Sequence, residues 1–179
     1  MDETADARRE TGLRRVKMAK VAATIFEIHP IGVVVSPYTK PEDVPIQASR
    51  STACGKLMIF DEYAEGLKDL EGFSHITILY RFHLSSDEPL LVKPFLDDAP
   101  RGVFATRSPS RPNRIGVSTV KLISRHENVL EVEGLDVLDG TPLLDIKPYV
   151  PQFDNRAATS IGWLKKRLKA KPPYKDRGV

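Results

Sequence analysis

The stretch at residues 73–84, FSHITILYRFHL, decides the kind of fold. Ile76, Ile78, Tyr80 and Phe82 point one way, while His75, Thr77, Leu79, Arg81 and His83 point the other. A period of two is that of a β-strand with one buried face. Similar short runs lie on both sides. Residues 24–35 (TIFEIHPIGVVV) are rich in β-branched side chains, but Pro30 and Gly32 interrupt them, which places that strand at an edge or a bulge. Residues 54–60, 104–106, 115–124, 129–137 and 143–149 read as further strands. Residues 125–128 (RHEN) and the pair Asp139-Gly140 mark turns between them.

Helical signals are few. Asp61 is placed to cap a helix running to about Leu70, with Tyr63, Leu67 and Leu70 at helical spacing and Gly72 closing it. A second helix is predicted over residues 157–170, with Ile161, Leu164 and Leu168 on one side and Lys165, Lys166, Arg167 and Lys169 around the rest; Pro172-Pro173 stops it. Many short strands joined by turns predict a mainly β, compact single-domain barrel or sandwich with a few short helices and a basic C-terminal helix. Strands do not alternate with helices, which excludes a doubly wound nucleotide-binding sheet.

At 179 residues and 20.0 kDa the chain has room for one domain. With 41% hydrophobic and 28% charged residues it reads as globular, and no apolar run of about 18 residues is present to span a membrane. The acidic start, MDETAD, has no apolar segment after it and does not read as a secretory signal. A single cysteine, Cys54, permits no internal disulfide and no thiolate zinc cluster, so a reducing, cytoplasmic setting is expected. The net charge of +3 is unevenly spread. Residues 1–20 hold six basic and four acidic side chains, residues 21–160 hold fourteen and nineteen, and residues 161–179 hold seven and one. Three parts follow: a flexible N-terminal segment (1–20), an acidic body (21–160) and a basic tail (161–179). The tail suits a polyanionic partner.

Glycine-rich phosphate loops, H-E-x-x-H and G-x-S-x-G are all missing. His75 and His83 share a strand face, but eight residues put them about 26 Å apart, too far for one metal. No metal site is expected. The most unusual stretch is residues 101–116, RGVFATRSPSRPNRIG, with four arginines and no acid. Pro109 and Pro112 stiffen it. Arginine forks held this way suit a phosphate, a carboxylate or a ribose, and Asn113 can present a donor and an acceptor to a base edge. A second stretch, residues 134–154 (GLDVLDGTPLLDIKPYVPQFD), carries Asp136, Asp139, Asp145 and Asp154. Asp145 and Lys147 fall on one strand face and can pair. Tyr149, between Pro148 and Pro151, is held in a way that suits stacking. In a third stretch, Val44-Pro45-Ile46-Gln47, Gln47 can read an amide or a base edge.

Together these pieces resemble the TsaA-like family. The matching text is Pro30-Ile31-Gly32 with Ser36-Pro37, Pro45-Ile46-Gln47, Gly72-Phe73-Ser74-His75, Phe104 through Pro109, Arg111-Pro112-Asn113, Ile115-Gly116-Val117-Ser118, Leu138 through Pro142 and Leu144 through Tyr149. It runs from about Ile28 to Asp154, and the order and spacing of the pieces carry the resemblance. The family's best characterised members look like S-adenosylmethionine-dependent methyltransferases that methylate N6-threonylcarbamoyladenosine beside the anticodon of tRNA. The resemblance implies a β-barrel that binds S-adenosyl-L-methionine and works as a homodimer with its site near the subunit interface. It further implies that Arg107 and Arg111, with Arg114, hold phosphate or the cofactor's carboxylate; that Pro112, Asn113 and Gly116 shape the pocket; that Phe104 and Tyr149 stack or wall it; and that Gln47 reads an edge. Asp139 and Asp145 are candidates for the base or for orienting the nucleophile, and Lys147 for stabilising charge on the carbamoyl oxygen. Two other readings stay open: a non-catalytic nucleic-acid-binding barrel, and a methyltransferase for another RNA or a small molecule.

Overall fold

Alternating burial along β3 (His75–Arg81) sets the frame of the computed structural model, which describes residues 25–45 and 51–170. Ile76, Ile78 and Tyr80 are buried, while the intervening residues face outward. The same rhythm recurs on β1 (Gly32–Val35), β2 (Cys54–Ile59), β6 (Ile115–His126) and β7 (Val129–Glu133), whereas β8 (Pro142–Pro148) fully buries only Leu143. These six strands close into an antiparallel barrel in the order β1-β2-β7-β6-β3-β8. Closure pairs every strand on both sides and removes the exposed edges of an open sheet. The short pair β4 (Leu91–Val92) and β5 (Arg101–Gly102) lies in the long connection between β3 and β6.

Leu57, Ile76, Ile78, Leu130 and Leu143 are fully buried in the barrel, and truncating any of them to alanine costs about 2–5 kcal/mol. Leu135 and Val137, just past β7, belong to the same core although they lie outside the strand. The mainly β barrel with few helices is therefore the observed fold.

Individual elements differ from expectation for local reasons. The first strand is only Gly32–Val35, because Pro30 offers no N–H and pairing starts with Ile31 N–H donating to Leu143 O at 2.8 Å. The segment after Asp61 forms two 3-10 turns, Asp61–Leu67 and Leu70–Gly72, rather than one α-helix. The Asp61 carboxylate does not cap them, since it accepts from Asn128 Nδ2 at 2.9 Å, and Asp69 at φ 66° breaks the run. Residues 104–106 form no strand; Val103–Ala105 is a 3-10 turn that buries Val103 and leaves Phe104 exposed. Two short helices close the described chain: α1 (Pro151–Asp154) and α2 (Leu164–Ala170). The second begins seven residues later than expected, after Gly162 at φ 57°. The N-terminal segment, Gln47 and the Pro172-Pro173 stop lie outside the described residues.

Candidate functional site

Strand direction sorts the connections between the two ends of the barrel. One end receives residues 36–53 between β1 and β2, residues 82–114 between β3 and β6, and residues 134–141 between β7 and β8. The arginine-rich stretch and the first part of the second stretch, residues 134–141, thus open at one mouth. Only short links close the opposite end, apart from the 3-10 turns between β2 and β3.

The third connection is tied to the other two. Asp139 Oδ1 accepts from the Ser36 N–H at 3.0 Å, Asp139 N–H donates to Tyr38 O at 2.8 Å, and Gly140 N–H donates to Val34 O at 2.9 Å. Gly140 takes φ 71°, a conformation that glycine adopts without steric cost, so the Asp-Gly pair is a true turn. Thr141 Oγ1 and His83 Nδ1 are hydrogen bonded at 3.2 Å, which ties this connection to the start of the one between β3 and β6.

Beneath the mouth lies a buried polar chain. Ser118 Oγ donates to Asp136 Oδ1 at 2.5 Å, and the Tyr80 hydroxyl meets Ser118 Oγ at 3.1 Å. Serine has one hydroxyl proton, so the direction is fixed: Tyr80 donates to Ser118, which donates to Asp136. Burial first, and then the charge of Asp136, pushes the Tyr80 phenol up to about 12. It remains protonated at neutral pH and acts as a donor, not a base. Gly116 sits opposite Tyr80 because a Cβ there would lie 2.3 Å from the ring. Residue 116 is thus glycine for a packing reason.

The arginine loop proves to be laced by its own arginines. Arg101 donates to Asp97 Oδ2 at 2.6 Å, Arg111 to Thr106 O at 3.2 Å, and Arg114 to Ser86 O and Glu88 Oε1, each at 3.0 Å. Arg114 Nε is buried without a partner. Asn113 and Arg114 both take left-handed φ, 63° and 53°, strain of about 1–3 kcal/mol each that such a laced loop can hold. Arg107 differs: it is exposed, and its charge acts on the Tyr80 phenol, which places it beside the mouth. Phe104 is 75% exposed three residues before it, and Asn113 is exposed as well.

Not every expected residue reaches this mouth. Asp145 and Lys147 do pair, Nζ to Oδ2 at 2.6 Å, but β8 carries them outward and away from it, opposite Leu79 and Thr77. Tyr149 lies at the far end, where its ring meets His75 edge-on at 6.3 Å and its hydroxyl donates to Asn155 Oδ1 at 2.7 Å. Phe104, Arg107, Arg111, Pro112, Asn113, Gly116 and Asp139 are gathered at the mouth or on its loops. Sequence reasoning missed Tyr80, Ser118, His83 and Thr141 as site residues; a tyrosine on the core face with serine on the neighbouring strand was the available signal. An open cleft at the opposite end, lined by Asp61, Glu65, Arg125, Glu127 and Asn128, shares none of these residues. Among the described residues no cluster of His, Cys, Asp and Glu is arranged to hold a metal, and no helix is long and apolar enough to cross a membrane.

The chain is a closed six-stranded antiparallel barrel with a loop-built, polar mouth, a fold outside the doubly wound class. The family model of the tRNA-methyltransferase O N-terminal domain matches residues 33–155, and the chain belongs to that family. A probable S-adenosyl-L-methionine-binding protein of Pyrococcus abyssi is 51% identical over 150 residues, covering 83% of this chain and 82% of its own. The tRNA (adenine(37)-N6)-methyltransferase of Mus musculus is 39% identical over 140 residues, 74% of this chain but only 32% of its own. A crystal structure of TrmO superposes with a TM-score of 0.67 at 37% identity, covering 78% of this chain and 64% of that one. The chain therefore spans less than two thirds of the solved protein and about a third of the mouse enzyme.

Proposed function

We propose that this chain binds S-adenosyl-L-methionine at the barrel mouth and methylates the N6 of adenosine beside the anticodon of tRNA, with N6-threonylcarbamoyladenosine as the substrate. The observation that carries the reading is the convergence of one exposed cation, one exposed aromatic ring and two carboxylate-bearing residues at a single mouth: Arg107, Phe104, Asp136 and Asp139. That donor set fits the group, since a guanidinium suits its carboxylate and carboxylates and an aromatic face suit its ammonium, sulfonium and ribose. When bound, it supplies an electrophilic methyl on a sulfonium that is its own leaving group.

The protein's own task is to align the nitrogen and receive its proton. Asp139 is the candidate base: the Ser36 N–H holds one carboxylate oxygen, and the side chain is exposed toward the mouth. Tyr80 and Ser118 hold Asp136 through the buried hydrogen-bond chain, so its carboxylate is preorganised at no cost at the moment of reaction. Arg107 anchors a carboxylate or phosphate, while Arg111, Pro112 and Gly116 fix the loop and wall around it. Asn113 and Gln47 read an adenine edge. Asp145, Lys147 and Tyr149 enter the site only across a subunit boundary, which makes the active species a homodimer. The outward face beside them, with Ile115 38% and Val117 50% exposed, offers apolar surface for the second copy. A tRNA substrate fits the cytoplasmic setting expected from the sequence.

The test is incubation of the purified protein with S-adenosylmethionine and tRNA carrying the threonylcarbamoyl group, followed by nucleoside mass spectrometry. A mass gain of one methyl on that nucleoside is expected. Equal methylation of tRNA lacking the group removes the substrate claim, and no methyl on either removes the activity.

A further inference from the structure

The basic helix α2 lies beyond residues 33–155, where the family match ends, and it is not a loose tail. Seven residues make too short a helix to stand alone in water, so its anchorage explains its presence. Three contacts supply it. The Trp163 indole Nε1–H donates to Ala105 O at 2.9 Å. The Arg101 guanidinium lies over the Trp163 ring at 5.6 Å. Arg167 Nη2 donates to Asp97 Oδ1 at 2.5 Å, on the opposite oxygen from the one Arg101 holds. The Asp97 side chain has no solvent exposure, and a carboxylate buried this way is tolerated only when it is paired and hydrogen bonded. All three contacts reach the root of the arginine loop: Asp97, Arg101 and Ala105. Ala105 is two residues from Arg107.

This arrangement divides the basic residues of α2. Trp163 and Leu164 are half-buried and Arg167 turns to Asp97, whereas Lys165 and Lys166 are exposed. Chain geometry limits the distance between the backbone of Arg107 and that of Lys166 to on the order of 20 Å. Charges spread over that span match several consecutive phosphates of one strand. An apolar or uncharged partner has no use for them.

We propose that α2 is a docked phosphate-contacting arm for the RNA substrate, in which Asp97, Arg101, Trp163 and Arg167 form a clasp that aligns Lys165 and Lys166 with Arg107 on one cationic track. The clasp members are positioning residues, and the lysines make the contacts. The proposal rests on the RNA reading above, but not on the methyl transfer.

Trp163 is the chain's single tryptophan, so its emission reports the clasp directly. Three proteins are compared: the parent, Lys165→Ala/Lys166→Ala and Arg167→Ala. For each, tRNA affinity is measured across a salt series, S-adenosylmethionine affinity by calorimetry, and Trp163 emission by fluorescence. In the double lysine variant the slope of log affinity against log salt should fall by about 1.4–1.8 units, at about 0.7–0.9 per lost phosphate contact. Its emission and cofactor affinity should match the parent. In Arg167→Ala the emission should move to longer wavelength as the indole becomes solvated, and the tRNA slope should fall at least as far. A parental slope in the double lysine variant overturns the proposal. So does Arg167→Ala with parental emission and slope. A lysine effect seen with polyglutamate in competition for an acidic protein but not with tRNA overturns it in favour of a protein partner. If the parent binds tRNA with the expected slopes but transfers no methyl, the catalytic reading fails and the docked arm stands.

Discussion

Substituting Gly116 by alanine tests how tightly the mouth is built. A Cβ at residue 116 would lie 2.3 Å and 2.6 Å from two carbons of the Tyr80 ring and 2.9 Å from Phe82. Carbon atoms are comfortable at about 3.5–4.0 Å, so the overlap exceeds about 1 Å. The ring has little freedom to yield. Tyr80 is 4% exposed, its hydroxyl is held by Ser118 at 3.1 Å, and Phe82 packs edge-on against it at 5.3 Å. Overpacking of this kind costs about 1–3 kcal/mol, and shifting the ring also loses a hydrogen bond worth about 0.5–1.5 kcal/mol. The sum, roughly 2–4 kcal/mol, corresponds to a melting temperature lowered by roughly 4–16 °C for a chain of this size. Urea unfolding and calorimetry read the loss. The variant Tyr80→Leu/Gly116→Ala identifies its cause: with the ring removed, the alanine should add little further destabilisation. A Gly116→Ala protein within about 0.5 kcal/mol of the parent, or a double variant whose losses simply add, refutes the packing account.

Four further outcomes are expected. The raised phenol of Tyr80 should appear in near-ultraviolet titration as one of five tyrosines ionising only near pH 12, and stability fully present below about pH 10 should be lost as pH rises toward about 12; five tyrosines titrating together around pH 10 would contradict it. Asp139→Asn keeps an oxygen for the Ser36 N–H, so melting should be nearly unchanged while methyl transfer falls by at least about 100-fold; a full-rate variant returns Asp139 to turn duty alone. Hydrogen bonds from Arg101, then from the Ala99 N–H and Arg167, hold the Asp97 carboxyl at about 2, below its ordinary value, so the clasp should be intact above about pH 4 and open as pH falls toward 2, seen as a shift of Trp163 emission to longer wavelength; emission constant over that window counts against it. Arg107→Ala should weaken binding of cofactor or tRNA by roughly 10–100-fold, and parental affinity for both would remove its role.

The strands were legible because their signal is local. Ile76, Ile78 and Tyr80 against Thr77, Leu79 and Arg81 state which side is buried whatever the neighbours are. The 3-10 turns after Asp61 were not legible, since the carboxylate that looked like a cap is taken by Asn128, 67 residues away. The same limit applies to the site. The sequence marked the arginine-rich loop as unusual, and it did not show that Arg101, Arg111 and Arg114 are tied to carbonyls and carboxylates while Arg107 stays exposed.

By itself the sequence determined a mainly β chain, an acidic body with a basic end, and three stretches of unusual composition. Period, composition and charge are properties of the chain read in order. Only the tertiary structure decided which of those stretches meet. Antiparallel closure sends three connections to one end of the barrel and carries Asp145, Lys147 and Tyr149 away from it. It also turns the basic end back onto Asp97, 70 residues earlier. The physical reason is that strand direction and hydrogen-bond register, set by burial of the whole core, fix where each loop emerges, and no local pattern encodes that.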